Sequence, residues 1–553
     1  MHFGNRIAGI ALLAGVVLPA GAQELTRNPY PQNTRTDSAD FLWRTDVPAE
    51  SWIALQERGG THAVAYHSTV PTTTHEIHVP GLKPDTVYEY RVGAAEDAFL
   101  METPLWFRTF PESMPARLDF VAYGDHRNNP QDHRAVVQAI IDKTDELGWP
   151  LFVLDTGDYT GLGEHKTDFY DAQFFQPASG LIEHATFFPA IGNHESERRH
   201  PRIPFRYLAN FSVPTDNSGT EYYYSFDVGD VHITVLDVYA TEFATGSKQW
   251  EWARRDLDAS DATWKFAVMH YPIYIHRSGP TVSYGNTKIR EHLVPLFEEF
   301  GVTAAFSGDS HFYQRSEVNG VHYICTGGAG APLYDPGDGE DYIRASAKVN
   351  HYTWITIENG EMTLYAFDRD NNLLDRMTAT PRAAIRPPEP ELNFVRRMPA
   401  ADATPAATII VESRDAEGNV TKAPLYAEEG MMNSTAKSNA PGLAGNGTRF
   451  SDSDATLARF TVTPPITKKG TYLVSVTIPN ASSAEAPKTL FEVTTPGAEL
   501  IRGRVELSPG AAGGKWLAIG LFDLAPGASI TFLESANEPG RFYADAVKIE
   551  LYE

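Results

Sequence analysis

The chain has 553 residues, 42% of them hydrophobic, with 71 acidic against 46 basic side chains and a formal net charge of −25. That length exceeds a single domain and suits three or four, while the acidic excess excludes non-specific binding to nucleic acid or to anionic membranes. The single cysteine, Cys325, excludes an intramolecular disulfide, and its place in the apolar run Val321–Cys325 marks it as a small buried hydrophobe.

Residues 1–22 combine a basic residue, Arg6, an apolar stretch from Ile7 to Pro19, and Ala20-Gly21-Ala22 before Gln23. This is the pattern of a secretory signal peptide cut near Ala22, too short to span a membrane, and it predicts a secreted protein, periplasmic or extracellular. Residues 23–112 read as a β-sandwich of short strands separated by turn signals: Asp40–Arg44, Trp52–Leu55, Ala63–His67, His75–Val79, Val87–Val92 and Trp106–Phe110. The stretch Leu82–Tyr90 has the spacing of a tyrosine corner, in which a phenol hydroxyl ties a strand to the loop before it. His62, His67, His75 and His78 come without a carboxylate or thiol cluster and read as surface residues.

From 116 to 378 strands and helices alternate, which predicts a central α/β domain. Five short apolar runs end alike. Leu118–Tyr123 leads into Gly124-Asp125-His126-Arg127, Leu151–Thr156 into Gly157-Asp158, and Phe187–Ile191 into Gly192-Asn193-His194-Glu195. Lys265–Met269 leads into His270, and Val302–Ser307 into Gly308-Asp309-Ser310-His311. None alternates apolar with polar, so these are strands covered on both faces, and their tips converge on the carboxyl edge of a sheet, where open α/β folds bind ligands. Oxygen and imidazole donors without thiols suit Zn, Mn or Fe, and a carboxylate that bridges suits a pair of ions. Val136, Val137, Ile140 and Ile141 mark a buried helix face, and Leu293, Leu296, Phe297 and Phe300 another over His292–Phe300. Tyr222–Phe226 and Val231–Leu236 read as strands, Gln249–Leu257 as a helix, and Asp237 as a cap or turn residue.

The order Gly-Asp, Gly-Asp, Gly-Asn-His-Glu, His, Gly-x-x-His resembles that of the calcineurin-like metallophosphoesterases, and the surrounding segments resemble the purple acid phosphatase branch, over about residues 24–375. The resemblance implies a β-sandwich flanked by helices and two divalent or trivalent metal ions. It implies Asp125, Asp158, Asn193, His270 and His311 as ligands, with Asp158 bridging and Asp309 standing where the family has a histidine. It further implies that His194, outside the ligand set, protonates the leaving oxygen or contacts the phosphoryl group while Glu195 orients its ring, and that Arg127 and His276 are candidate substrate contacts. A guanidinium two residues past Asp125 suits a phosphate oxygen; a surface salt bridge is the other reading of Arg127. Three positions depart from the family: Arg127 replaces a histidine, Gly161 a tyrosine, and Asp309 a histidine. One metal is left with Asp125, Asp158 and His311 against Asp158, Asn193, His270 and Asp309 on the other, with His126 or His133 as candidates to fill the poorer site. The missing tyrosine implies no purple colour, and the extra carboxylate favours harder ions, Mn, Fe or Ca over Zn. Arg315 reads as a packing and pairing residue, and residues 23–112 resemble the fibronectin type III-like domain that precedes purple acid phosphatase catalytic domains.

Residues 379–406 are rich in Pro and Ala and read as a stiff linker. Residues 407–553 contain no histidine, carry β-strand and turn signals, and resemble the golvesin or xanthan-lyase type of β-sandwich, which implies glycan or cell-envelope contact or a packing role. The expectation is thus a secreted acid phosphatase-like monoesterase acting on a small phosphorylated substrate through a metal-activated water. A phosphodiesterase or nucleotide pyrophosphatase is the alternative within enzymes, and a degenerate glycan-binding protein the alternative outside them. Against the last stands the survival of Asn193-His194-Glu195 beside Asp125, Asp158, His270 and His311.

Overall fold

The computed structural model describes residues 23–95, 98–161, 168–195, 204–384, 392–414, 459–478, 488–507, 514–533 and 546–552, with short pieces at 7–10, 16–17, 419–421, 425–429, 432–434, 443, 448–450 and 543–544. Most of the leader segment, 1–22, lies outside them. The chain forms two compact units, 1–244 with 260–385, and 245–259 with 386–553.

In the first unit the N-terminal strands are β1 (Leu25–Gln32), β2 (Ser38–Glu57), β3 (Ala63–Pro80), β4 (Val87–Ala95) and β5 (Leu105–Arg108). They run in the order β3-β2-β4-β5, with β1 also on β2, all antiparallel. Four of the expected short strands are in fact two long ones. The pairing of β2 with β3 shifts register between Arg44 and Ala49 and again before Ser51, so the ladder passes through the polar break on bulges that bend it rather than end it. The expected tyrosine corner forms: the Tyr88 hydroxyl accepts the Lys83 N–H at 2.9 Å. These strands are tied to the rest of the unit by polar bonds, the partly buried Arg27 Nε to Asp171 Oδ1 at 2.5 Å and the buried Tyr90 Oη to the Glu183 carbonyl at 2.7 Å.

The central part is two sheets face to face. One has the order β8-β7-β6-β16-β17-β18, comprising β6 (Arg117–Tyr123), β7 (Phe152–Asp155), β8 (Thr186–Pro189), β16 (His351–Glu358), β17 (Glu361–Asp368) and β18 (Leu373–Ala379). The other runs β9-β10-β11-β12-β14-β13-β15, from β9 (Tyr224–Val228), β10 (Val231–Val235), β11 (Trp264–Val268), β12 (Ala304–Ser307), β13 (Tyr313–Val318) and β14 (Val321–Thr326) to β15 (Ile343–Ala347). Strands β6, β7 and β8 are parallel, as are β10, β11, β12 and β14. Between the sheets lie Phe120, Phe152, Phe188, Phe226, Phe266 and Phe306, all buried, with Phe188 stacked on Phe226 at 3.6 Å between ring centres. Helix α1 (Pro130–Leu147) packs Val136, Val137 and Ile140 onto the outer side of the first sheet, beside Val121, Val153 and Phe187. The helix expected over His292–Phe300 is instead two, α2 (Thr287–His292) and α3 (Val294–Glu299). Pro295 has no N–H to donate and breaks the hydrogen-bond ladder there. Parallel strands put their carboxyl ends on one side of each sheet, and the two rims are stitched by Gly124 N–H to the Thr326 carbonyl at 3.1 Å.

Among its described residues the second unit has one sheet ordered 407–412, 546–551, 470–477, 517–524, another ordered 426–429, 459–462, 529–533, 488–494, 501–506, and a small one ordered 432–434, 448–450, 543–544. Phe460, Phe491, Phe522, Phe532, Val474 and Ile549 form its core. The far end of the expected linker belongs to this unit: Phe394 stacks on Phe522 at 5.0 Å and its N–H bonds the Arg502 carbonyl.

His75 departs from the surface reading. Its ring is buried and stacked on Trp43 at 4.8 Å, with Nε2 2.8 Å from Thr45 Oγ1 and Nδ1 2.8 Å from Ser51 Oγ. Sequence pattern misses it because alternation along β3 places residue 75 inward only once the long register is known. Burial pushes its pKa down to about 4, against about 6.5 in an unfolded chain. The folded state therefore keeps His75 neutral while the unfolded chain takes up a proton, so stability is lost as pH falls from 6.5 toward 4. Replacing it in His75→Gln should lower the melting temperature at pH 7.5 and lower it less at pH 4.5. An equal gap at both pH values, followed by thermal unfolding, would show that His75 carries no pH dependence.

Candidate metal centre

Three of the strand tips share one backbone device. Asp125, Asp158 and Asp309 each follow a glycine at a strand end and each sits in the left-handed region, with φ of 61°, 64° and 59°. Asp tolerates this conformation better than most residues, and such strained positions cluster at functional sites. Glycine is required beside them: Gly157 has φ of 96°, and a Cβ on Gly192 would run into Asp158 Oδ1 and Glu195 Oε2. The tight turns bring Asp125, Asp158 and His270 together, all buried, with their ligand atoms within 4.8 Å of one another. His270 Nε2 lies 3.3 Å from Asp158 Oδ1 and 3.1 Å from Asn193 Oδ1, while its Nδ1 is 2.7 Å from the Thr156 carbonyl. His311 Nε2 is 3.4 Å from Asp125 Oδ1, and its Nδ1 is 2.7 Å from the Pro332 carbonyl. The Asp309 N–H donates to Asp125 Oδ2 at 2.9 Å, and its own carboxyl is pushed up by burial.

Burial alone would lower His270, but the charges of Asp158, Asp125 and Asp309 outweigh it and hold its pKa up to about 9. Burial would likewise raise Asp158, and His270, His194 and Arg127 pull it below the usual carboxylate range instead. Buried carboxylates this close demand positive charge. Asp125 Oδ1 is buried without a hydrogen-bond partner among the described residues. Such an oxygen, beside a second carboxylate and an imidazole nitrogen, is the donor set of a divalent cation, and these residues fit one.

The side chains around this cluster do other work than expected. Glu195 does not reach the His194 ring. Its Oε2 accepts the N–H groups of Asp158 at 3.0 Å and Gly192 at 2.7 Å, and its Oε1 that of Tyr159 at 3.0 Å, so it clamps two strand tips together. His126 and His133 lie beneath the cluster rather than in it. His126 Nε2 is 2.8 Å from Asp155 Oδ2 and its Nδ1 3.1 Å from His133 Nε2, and burial lowers His126 to about 3. Asp155, which the sequence left inside an apolar run, anchors that chain and also accepts the Gly157 N–H at 3.0 Å. A carboxylate within an otherwise apolar strand was the available signal. His194 bonds Asp158 Oδ1 through its backbone N–H at 3.0 Å, sets Nε2 3.7 Å from Asp158 Oδ2, and has a buried Nδ1 without a partner among the described residues.

Arg127 is neither a surface salt bridge nor free for substrate. Its side chain is 14% exposed, with Nε 3.1 Å from Asp158 Oδ2 and Nη2 3.1 Å from His311 Nε2. His276 is held by the Asp338 carbonyl at 2.7 Å and stacks on Tyr284, so its ring is engaged by its own surroundings and not by the cluster. Arg315 pairs with Asp375 at 2.6 Å as expected, and Asp237 caps the turn after β10 by accepting the Tyr239 and Ala240 N–H groups. Cys325 is buried, its thiol directed at the Ser310 carbonyl.

The Calcineurin-like phosphoesterase family matches residues 118–313, and the Golvesin C-terminal domain matches 424–551. Purple acid phosphatase 23 of Arabidopsis thaliana is 28% identical over 297 residues, 48% of this chain and 62% of that protein. Purple acid phosphatase 21 of the same plant is 30% identical over 250 residues, 44% and 53% of the two chains. The chain thus spans about half to two thirds of the length of these relatives. Among solved structures, purple acid phosphatase PPD1 from yellow lupin (Lupinus luteus) seeds superposes with a TM-score of 0.57 at 16% identity, over 66% of this chain and 78% of that one, which supports the fold.

Two outcomes follow from the geometry. Asp158→Asn, chosen because Asn also accepts the left-handed conformation, should weaken Mn2+ or Zn2+ binding to the metal-free protein at least tenfold, about 1.4 kcal/mol or more, with unfolding still cooperative. Unchanged affinity in a calorimetric titration would remove Asp158 from the ligand set. Glu195→Ala leaves three N–H groups unpaired and should destabilise the protein by roughly 1–3 kcal/mol per buried group lost, less whatever water recovers. A variant with wild-type urea stability would show the clamp to be dispensable.

Proposed function

We propose that this protein is a metal-dependent phosphoester hydrolase of the acid phosphatase kind, since residues 118–313 match the Calcineurin-like phosphoesterase family and 424–551 the Golvesin C-terminal domain. Its substrates are small phosphorylated molecules, monoesters first. The observation that carries the reading is the buried cluster of Asp125, Asp158 and His270 with the His194 ring at its edge. A cation held there supplies positive charge to the phosphoryl oxygens and makes water a competent nucleophile near neutral pH.

The chain's own residues account for the rest. Asp125, Asp158, His270 and Asn193 would hold the cation, and the half-buried Asp309 adds negative charge that favours Mn, Fe or Ca over Zn. Glu195 fixes the tips that carry Asp158 and His194, so the acid and the cation keep one geometry. His194, whose Nδ1 has no partner among the described residues, is placed to donate a proton to the leaving oxygen. Secretion is supported by the 1–22 leader pattern, and glycan or envelope contact by the Golvesin C-terminal domain.

His194→Ala should keep its metal and lose roughly 10²–10⁴-fold in turnover, the range for a general acid. Assay of a panel of mono- and diesters with added Mn2+, Fe2+ or Zn2+, alongside metal analysis, tests the reading. No hydrolysis of any ester by metal-loaded protein would overturn it, and loss of metal in the variant would place His194 among the ligands.

A further inference from the structure

We propose that the Arg127 guanidinium stands in for one of the two cations of a dinuclear centre, so that this protein holds a single metal ion, at Asp125, Asp158 and His270. The inference rests on the phosphoesterase reading and changes its stoichiometry.

The evidence lies in the contrast between two histidines. His270 and His311 are anchored alike, each with Nδ1 2.7 Å from a backbone carbonyl, of Thr156 and of Pro332. A carbonyl only accepts, so both rings carry a hydrogen on Nδ1 and turn the Nε2 position toward the cluster. Their Nε2 atoms meet different surroundings. That of His270 faces two oxygens, Asp158 Oδ1 at 3.3 Å and Asn193 Oδ1 at 3.1 Å, and only a cation or a proton on Nε2 satisfies that arrangement. That of His311 has Arg127 Nη2 at 3.1 Å, nearer than Asp125 Oδ1 at 3.4 Å, and this donor takes up its lone pair. The same guanidinium gives Nε to Asp158 Oδ2 at 3.1 Å, leaving Oδ1 of that carboxylate to the His270 side. Its third nitrogen, Nη1, is held by Asn128 Oδ1 at 2.7 Å, on a residue whose own φ of 75° turns the loop back.

Arg127 thus engages two of the three ligands, Asp158 and His311, that the family pattern gives to one metal. A metal there would need the same two lone pairs, so ion and guanidinium exclude each other. Residue 127 is also the position where the family pattern has a ligating histidine, and arginine cannot ligate because it has no lone pair to offer. Charge agrees. Three carboxylates, Asp125, Asp158 and Asp309, are balanced by one guanidinium and one divalent ion, whereas a second divalent ion beside Arg127 would place two positive centres against the same Asp158. Unlike a metal, the guanidinium is covalently held and always charged, so chelation removes only one of the two positive centres.

Titration of the metal-free full chain with Mn2+, followed by desalting and metal counting, should give one ion per chain for wild type. Arg127→His, which restores a ligating side chain, should give two, as should Arg127→Met, which frees His311 Nε2 while keeping the stem's volume; a melting curve shows which variants are folded. Two ions per wild-type chain, or one ion in both folded variants, would overturn the inference. No ion bound by wild type would overturn the phosphoesterase reading and the inference with it.

Discussion

Everything in the first unit is arranged to keep the carboxylates of Asp125 and Asp158 close together and out of water. Two such charges attract hydration that burial denies them, and the deficit is met by cations and donors brought in from five strand tips. His270 is drawn toward the protonated form by that field, and Arg127 is laid across Asp158 and His311. The left-handed turns at Asp125, Asp158 and Asp309 are strained for any side chain, and they persist because the surroundings over-determine them. Glu195 supplies part of that constraint by holding three backbone N–H groups from two tips, and Asp155 another part through Gly157 and His126.

The scaffold explains why the strain can be borne. Parallel strands buried on both faces between a phenylalanine-rich layer and the helices are rigid, and they bring their carboxyl ends to the same edge. A site distributed over five tips then has its geometry set by sheet register and not by loop conformation. The same rigidity makes the site sensitive to small residues. A Cβ at Gly192 or Gly308 would meet the oxygens of Asp158 or Asp125, so the glycines of the motifs serve the carboxylates as directly as any ligand does.

The second unit has a hydrophobic core of its own and no histidine. Among the described residues no second group like Asp125, Asp158 and His270 is found. The second unit matches the Golvesin C-terminal domain over 424–551.

The sequence by itself determined which strands carry chemistry, because runs of Val, Phe, Leu and Ala that stop at a glycine and deliver Asp, Asn or His are local patterns, legible without knowing what they touch. It determined the helix face of Val136, Val137 and Ile140 and the tyrosine corner at Tyr88 for the same reason. Only the tertiary structure decided what each polar side chain does once delivered. His126, His133 and Glu195 sit beside the motifs in sequence yet serve the layer beneath or the backbone, His75 is buried by a register that bulges define, and Arg127 turns inward onto Asp158 and His311. Side-chain direction at a strand tip depends on two dihedral angles and on partners far away in the chain, Asp125 and His311 being 186 residues apart. That information exists only when the two sheets have closed on each other, since until then the carboxylates are solvated and no side chain is required to neutralise them.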